Sequence, residues 1–400
     1  PTDSLYPRVE KLLDEYEGRC SKINVEYIDP AKDLARAEIL VKKYNIEKDG
    51  IVIFDYKGKT KFVGAENIAE YDYSGVYQGM PPQFKAFTGE QAFTSTILNL
   101  IHGQEQTIYF TSGHGEKSFE NHADNGIYKA GKLLSEDNLK FEHLSLLDKE
   151  SVPDNVKLIV IAGPTKAFMP NEVNALMNFV KEAHGKLFFM IDPMVNVGLD
   201  ELFSYIGVSV DDNVVVDPER KLPLVSPANL FVSDYQFHEI TKSITNVATI
   251  YPLARPVRKI ESGSGFRNLE LMHTSDKGWG EFKYNDSPFK FDNNEDIKGP
   301  VPIGVVCEEL KENASKIVVL GDSDFIINSQ INNLGNSDLF LNIINWLVER
   351  EELIAISPKV LERVGMILSS GQVSFILFAF VLGVPALWVG VGIWVRIARR

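Results

Sequence analysis

KLIVIAGPT, residues 157–165, decides the fold. Five apolar residues run without alternation from Leu158 to Ala162 and stop at a Gly-Pro-Thr turn. A run that is apolar on both sides suits a strand buried on both faces, as in a parallel sheet covered by helices. Two later stretches repeat it, KLFFMIDP (Lys186–Pro193) and KIVVLGDSDF (Lys316–Phe325). TIYFT (Thr107–Thr111) and LKFEHLSL (Leu139–Leu146) read as further strands, and Gly126–Glu136, Asn171–His184 and Leu339–Arg350 as helices. Strands alternating with helices predict an α/β domain with a doubly wound, mostly parallel sheet. Residues 201–300, with VVVDPE (Val214–Glu219), the polar FHEITKSI (Phe237–Ile244) and Gly/Ser/Asn/Asp-rich loops, read as a long mixed insertion.

Upstream, an amphipathic helix is expected over Leu5–Tyr16, a strand over Ile23–Pro30 and a helix over Ala31–Tyr44. Gly50–Tyr56 and Thr60–Gly64 form a hairpin across Lys57-Gly58-Lys59. This order resembles a thioredoxin-like domain whose first strand is absent or upstream. Residues 65–82 read as a connector and Phe87–His102 as a helix, with Glu90 in its first turn. Pro1-Thr2-Asp3 has no Met and no apolar run, so the start is expected to be the interior of a longer protein. A second membrane segment ahead of it is part of that expectation.

From Val373 to Val395 there is no charged residue, and Arg396, Arg399 and Arg400 follow. As a helix the run reaches roughly 34 Å, against a hydrocarbon core of about 30 Å. One transmembrane helix is therefore expected, with the arginines on the cytoplasmic side. Gly383, Ala386 and Gly390 share one face of it and are candidates for helix–helix packing. The organisation read from sequence is 1–82, 83–357 with the insertion at about 201–300, a juxtamembrane linker 358–372, the span 373–395 and a tail 396–400. The location that follows is the inner membrane, with the bulk of the chain extracytoplasmic.

The net charge of −14 argues against a nucleic-acid surface. Cys20 and Cys307 form neither a disulfide framework nor a metal-ligand spacing, and no cofactor is implied. Ligands of open α/β sheets bind outside the carboxyl ends of the strands. Those ends carry His114 and Glu116, Asp192, and Asp322 and Asp324, the candidate ligand or interface residues. Polar residues at strand ends also serve as ordinary turn and cap formers. GxSxG, GxxxxGK[ST], HExxH and GxGxxG are all missing, so no catalytic residue is assigned.

EYIDP, FTGEQAFTSTIL, YFTSGHGE, IVIAGPT, IDP, VVVDP, TSDKGWGE, VVLGDSDFIIN and LFLNIINWLVERE follow one another along the chain. In this order they resemble the auxiliary, or substrate-binding, component of ABC transporters of the gliding-motility type. The resemblance implies a thioredoxin-like domain, then a class I glutamine-amidotransferase-like domain without the catalytic cysteine. It also implies a separate permease and ATPase as partners; the expected anchor adds membrane lipid, and the ectodomain an envelope glycan, lipid or protein, as further contacts. The expected function is a non-catalytic, membrane-anchored auxiliary subunit. The competing readings are an envelope-facing binding module without a transporter, and a hydrolase or amidotransferase.

Overall fold

The computed structural model describes residues 5–44, 50–65, 68–72, 83–102, 107–137, 139–147, 151–221, 226–261, 265–285, 288–311, 314–350 and 359–360, with 46, 149 and 394 standing alone. Its centre is one eight-stranded sheet. In chain order the strands are β1 (Thr107–Thr111), β2 (Lys140–Leu144), β3 (Leu158–Ala162), β4 (Lys186–Met190), β5 (Asp234–Tyr235), β6 (Phe266–His273), β7 (Pro302–Glu309) and β8 (Lys316–Leu320). Their spatial order is β5-β6-β7-β8-β4-β3-β1-β2. The five strands from β8 to β2 are parallel, and β7, β6 and β5 extend the sheet by antiparallel pairing.

The two-sided burial read in residues 158–162 has a direct counterpart. Along β3, Leu158, Val160 and Ala162 enter one core while Ile159 and Ile161 enter the other. Phe188 and Met190 of β4 share the first core, and Leu187 and Phe189 the second. Helices α1 (Tyr128–Glu136) and α4 (Asn336–Leu347) cover the first face with Leu134, Leu339, Phe340 and Ile343. Helices α2 (Pro170–Lys181) and α3 (Asp200–Ile206) cover the second with Leu176, Val180, Leu202 and Ile206. Period-two side-chain alternation makes one apolar run serve both layers.

Several expectations need correction. The sheet is mixed rather than mostly parallel, because the stretch read as an insertion supplies the antiparallel edge strands β5 and β6. This replaces the amidotransferase-like reading. The stretch FHEITKSI, read as polar, also feeds the core: Ile240 and Ile244 are buried in it, and His238 stands edge-on to Trp346.

The thioredoxin-like reading also fails. Ile23–Pro30 forms no strand, although its apolar residues alternate. It leans on the helix Tyr6–Arg19 instead, through Val25 N to Glu17 Oε1 (2.9 Å) and the Tyr27 hydroxyl to Asp14 (2.8 Å). The hairpin Ile51–Tyr56/Lys59–Gly64 stands as its own two-stranded sheet. Lys57 and Gly58 turn it with φ of 50° and 82°, the left-handed pair that matches the strand twist. Ala69–Asp72, Gln83–Phe87 and Lys359–Val360 make a separate antiparallel three-stranded sheet. Residues 359–360, read as juxtamembrane linker, thus pair with Phe87 and Ala86.

The expected membrane anchor has no counterpart among the described residues. Among the described residues no helix is long and apolar enough to cross a membrane. The 373–395 run, with Gly383, Ala386 and Gly390, lies outside those residues except for Trp394. The anchored topology and the location drawn from it have no support among the described residues.

Asn336 opens α4 and is fully buried. Its Oδ1 accepts from Ile250 N (2.8 Å), and its Nδ2 donates to the carbonyls of Ile250 (3.1 Å), Phe325 (3.0 Å) and Gln330 (3.3 Å). It thereby ties the Thr249–Tyr251 strand to the segment after β8. Asn336→Leu strands several buried backbone groups and should lower stability by about 3 kcal/mol or more in urea unfolding. The peripheral Asn333→Ala should change it by less than about 1 kcal/mol.

Candidate functional site

The order β2-β1-β3-β4-β8 reverses direction between β1 and β3, and a crevice opens at such a switch point. Here the segment after β1 lies across it. His114 O accepts from Thr165 N (2.8 Å) and Lys166 N (3.0 Å), while Lys117 N donates to Ala162 O (3.0 Å). Gly115 permits this closeness: with φ of 80°, it comes so near that a Cβ there would lie 2.1 Å from Thr165 Oγ1. The switch point is thus bridged by backbone.

The five candidate residues fall into two groups joined by this segment. In the first, the buried His114 ring stacks on Phe168 with centroids 4.1 Å apart. Its Nε2 lies 2.9 Å from Glu172 Oε2, and its Nδ1 lies 3.6 Å from Glu116 Oε1. Glu116 Oε2 accepts from the His114 backbone N–H (2.8 Å). Glu172, fully buried, also accepts from Met169 N (2.8 Å), which caps the start of α2. Among the described residues, His114 Nδ1, Glu116 Oε1 and Glu172 Oε1 have no hydrogen-bond partner.

The second group holds the acids. Ser323 donates twice to Asp192, from N to Oδ1 (2.6 Å) and from Oγ to Oδ2 (2.7 Å). Asp322 is fully buried and accepts from Leu253 N (3.1 Å) and Phe325 N (2.9 Å). Lys117 Nζ reaches Asp324 (2.6 Å) and stands 3.8 Å from Asp192. Only Asp324 and Asp192 keep appreciable exposure, 37% and 24% of their side chains. Arg255, from the region read as an insertion, clamps the β4 end by donating Nη1 to the carbonyls of Asp192 (3.2 Å) and Val195 (3.0 Å).

Burial pushes the Asp322 carboxyl well above the usual carboxylate range, and the charges of Asp192 and Asp324 push it further. Asp192 is raised too, by burial, against the opposing pull of Lys117 and Ser323. Burial lowers the Lys117 ammonium, but Asp192 and Asp324 outweigh it and leave it above its ordinary value. Among the described residues no group of three or more His, Cys, Asp or Glu side chains could hold a metal ion.

Glu172, Lys117, Ser323 and Arg255 are the members that reasoning from sequence did not single out. Glu172 has a signal in hindsight, as the third residue of a helix behind Met-Pro. Arg255 sits in a stretch with no periodicity to mark it.

A family model described as an ABC-type uncharacterized transport system matches residues 105–343. The chain belongs to this family. Membership implies association with transporter components, and it carries no gliding-motility assignment. No curated protein matches the chain. Among solved structures it is similar to the mmIFT52 N-terminal domain, with 18% identity and a TM-score of 0.47 over 60% of this chain and 96% of that one. A ThuA-like protein from Bacteroides uniformis ATCC 8492 follows, with 15% identity and a TM-score of 0.35 over 61% and 91%. The exo-beta-1,4-mannosidase Op5Man5 from Opitutaceae bacterium strain TAV5 matches at 10% and 0.30, over 65% of this chain and 37% of that one.

The raised carboxyls set a pH dependence. Above about pH 4 the unfolded chain has released protons that folded Asp322 and Asp192 retain, so the stability these two groups contribute is full below that pH. It falls as pH rises through the raised values. Asp322→Asn should flatten this decline, whatever its constant offset, in urea midpoints taken from pH 4 upward. An unchanged slope would mean that Asp322 is ionised in the fold.

Proposed function

We propose that this chain is a non-catalytic binding component of an ABC-type transport system. Asp192 and Asp324 are the groups that meet a ligand or partner, and His114, Glu116 and Asp322 hold the crevice in shape. One observation carries the non-catalytic part. A nucleophile on this kind of sheet needs a side chain on the sharp turn just past a buried strand. That position after β3 is Gly163, with φ of 63°, and a Cβ there would lie 2.3 Å from Ser323 Oγ and 2.9 Å from Asp192 Oδ2. The space for a nucleophile is occupied by the groups that hold Asp192.

The binding part is supported by the family and by where exposure remains. Asp322 has both oxygens engaged by backbone N–H groups, whereas Asp324 faces outward beside Lys117. This reading requires no membrane helix in the chain and is closer to a binding module than to an anchored subunit.

Gly163→Cys should destabilise the protein by about 2–4 kcal/mol, from left-handed strain and the displaced Ser323, and should confer no hydrolase activity on acyl or amide substrates. The association is checked by purifying the tagged chain from cells that produce it and identifying what comes with it. Recovery of the permease or ATPase is expected. A preparation in which neither accompanies the chain, at low salt and after mild cross-linking, would sink the proposal.

A further inference from the structure

The five parallel strands end at one rim, and after each of them one large apolar side chain stands in solvent. These are Tyr128 after β1, Leu147 after β2, Met169 after β3, Met194 after β4 and Leu334 after β8. Each is between 42% and 56% exposed. At the opposite end the helix-to-strand turns 137–139 and 182–185 carry none among the described residues, and the turn between β7 and β8 exposes Leu310 alone. Exposed apolar residues met singly need no explanation, but one per segment around one end forms a pattern.

Local contacts join three of these residues, Leu147, Met169 and Met194. Asn171 Nδ2 reaches Leu147 O (3.4 Å), setting Leu147 against the start of α2, which Met169 precedes. Phe168 N donates to Val197 O (2.9 Å), linking Met169 to the turn that carries Met194. Met194 and Leu334 hold φ of 64° and 49°, in the left-handed region, as does His184 (50°) in a turn at the opposite end, so this conformation does not by itself mark the rim.

At the same rim, just past β4 and β8, stand Asp192 and Asp324, two partly exposed acids that share the ammonium of Lys117. An acidic centre repels anionic lipid headgroups and attracts a cationic side chain. Apolar side chains around such a centre suit a polypeptide with one Lys or Arg flanked by apolar residues.

We propose that this rim is a docking surface for such a segment, supplied by a protein component of the same transport system. The inference rests on the reading of the chain as a transport-system component and adds where and how it engages. Its basic side chain would meet Asp324 and Asp192, and its apolar residues would cover Met169, Met194 and Leu147.

The full chain carrying a benzophenone amino acid at 169, 194 or, as a control at another loop, at the exposed Leu310 is irradiated in the cells that make it. Cross-links to a transport component are expected from 169 and 194 and not from 310. Met169→Ser with Met194→Ser should cut co-purification of that component about tenfold, with the unfolding midpoint unchanged. Asp324→Lys should weaken it in the same direction. If 169 and 194 link to a second copy or to lipid, the proposed occupant is wrong. If a transport component is captured only through 310, or the double variant retains it, the rim is not the docking surface, yet the auxiliary reading stands. If wild type captures no transport component from any position, both readings fail together.

Discussion

The structure depends on a demand placed on its central strands: β3, β4 and β8 must bury both faces at once. Leu158, Val160 and Ala162 cannot satisfy one layer unless Ile159 and Ile161 satisfy the other. The chain therefore has to deliver helices to both sides of the sheet. With crossovers of one hand, it can do so only by reversing direction partway along the sheet. The reversal between β1 and β3 creates the crevice, and the rim chemistry follows from it.

At the crevice the chain applies burial to charged groups and answers it with hydrogen bonds. Ser323 supplies two bonds to Asp192, and Leu253 and Phe325 supply one each to Asp322. Breaking such an arrangement by removing one partner costs more than the bond itself, because the buried group left behind has lost water as well. Gly163 and Gly115 belong to the same economy of space: each stands where a side chain would enter the Asp192 or Thr165 contacts.

The sequence made the central strands legible because two-sided burial leaves runs such as LIVIA and IVVL that little else produces. It also located the five rim residues, since a strand end is fixed once the strand is. The pairing of those residues was not legible. Glu172 reaches His114, and Lys117 reaches Asp324, across sequence separations that periodicity cannot see. Ile23–Pro30 misled for a related reason. Alternation signals a half-buried extended segment, and whether it joins a sheet depends on a partner edge elsewhere. Residues 201–300 misled because short strands without strong patterning gave no sign that β5 and β6 would complete the main sheet.

The pairing of β4 with β8 has a consequence for how the molecule is made. Leu187 meets Ile317, and everything between them is synthesised while the β4 edge has no neighbour on that side. That edge presents Leu187, Phe188 and Phe189, an apolar row whose backbone groups are unpaired until β8 arrives. Pairing of such remote segments is slow, and an open apolar edge invites other chains. Arg255 is made in the interval, and its guanidinium fastens the carbonyls just past β4. Its backbone N–H donates to Gly321 O (2.8 Å) just past β8, so the same residue ties the ends of both strands once β8 has paired.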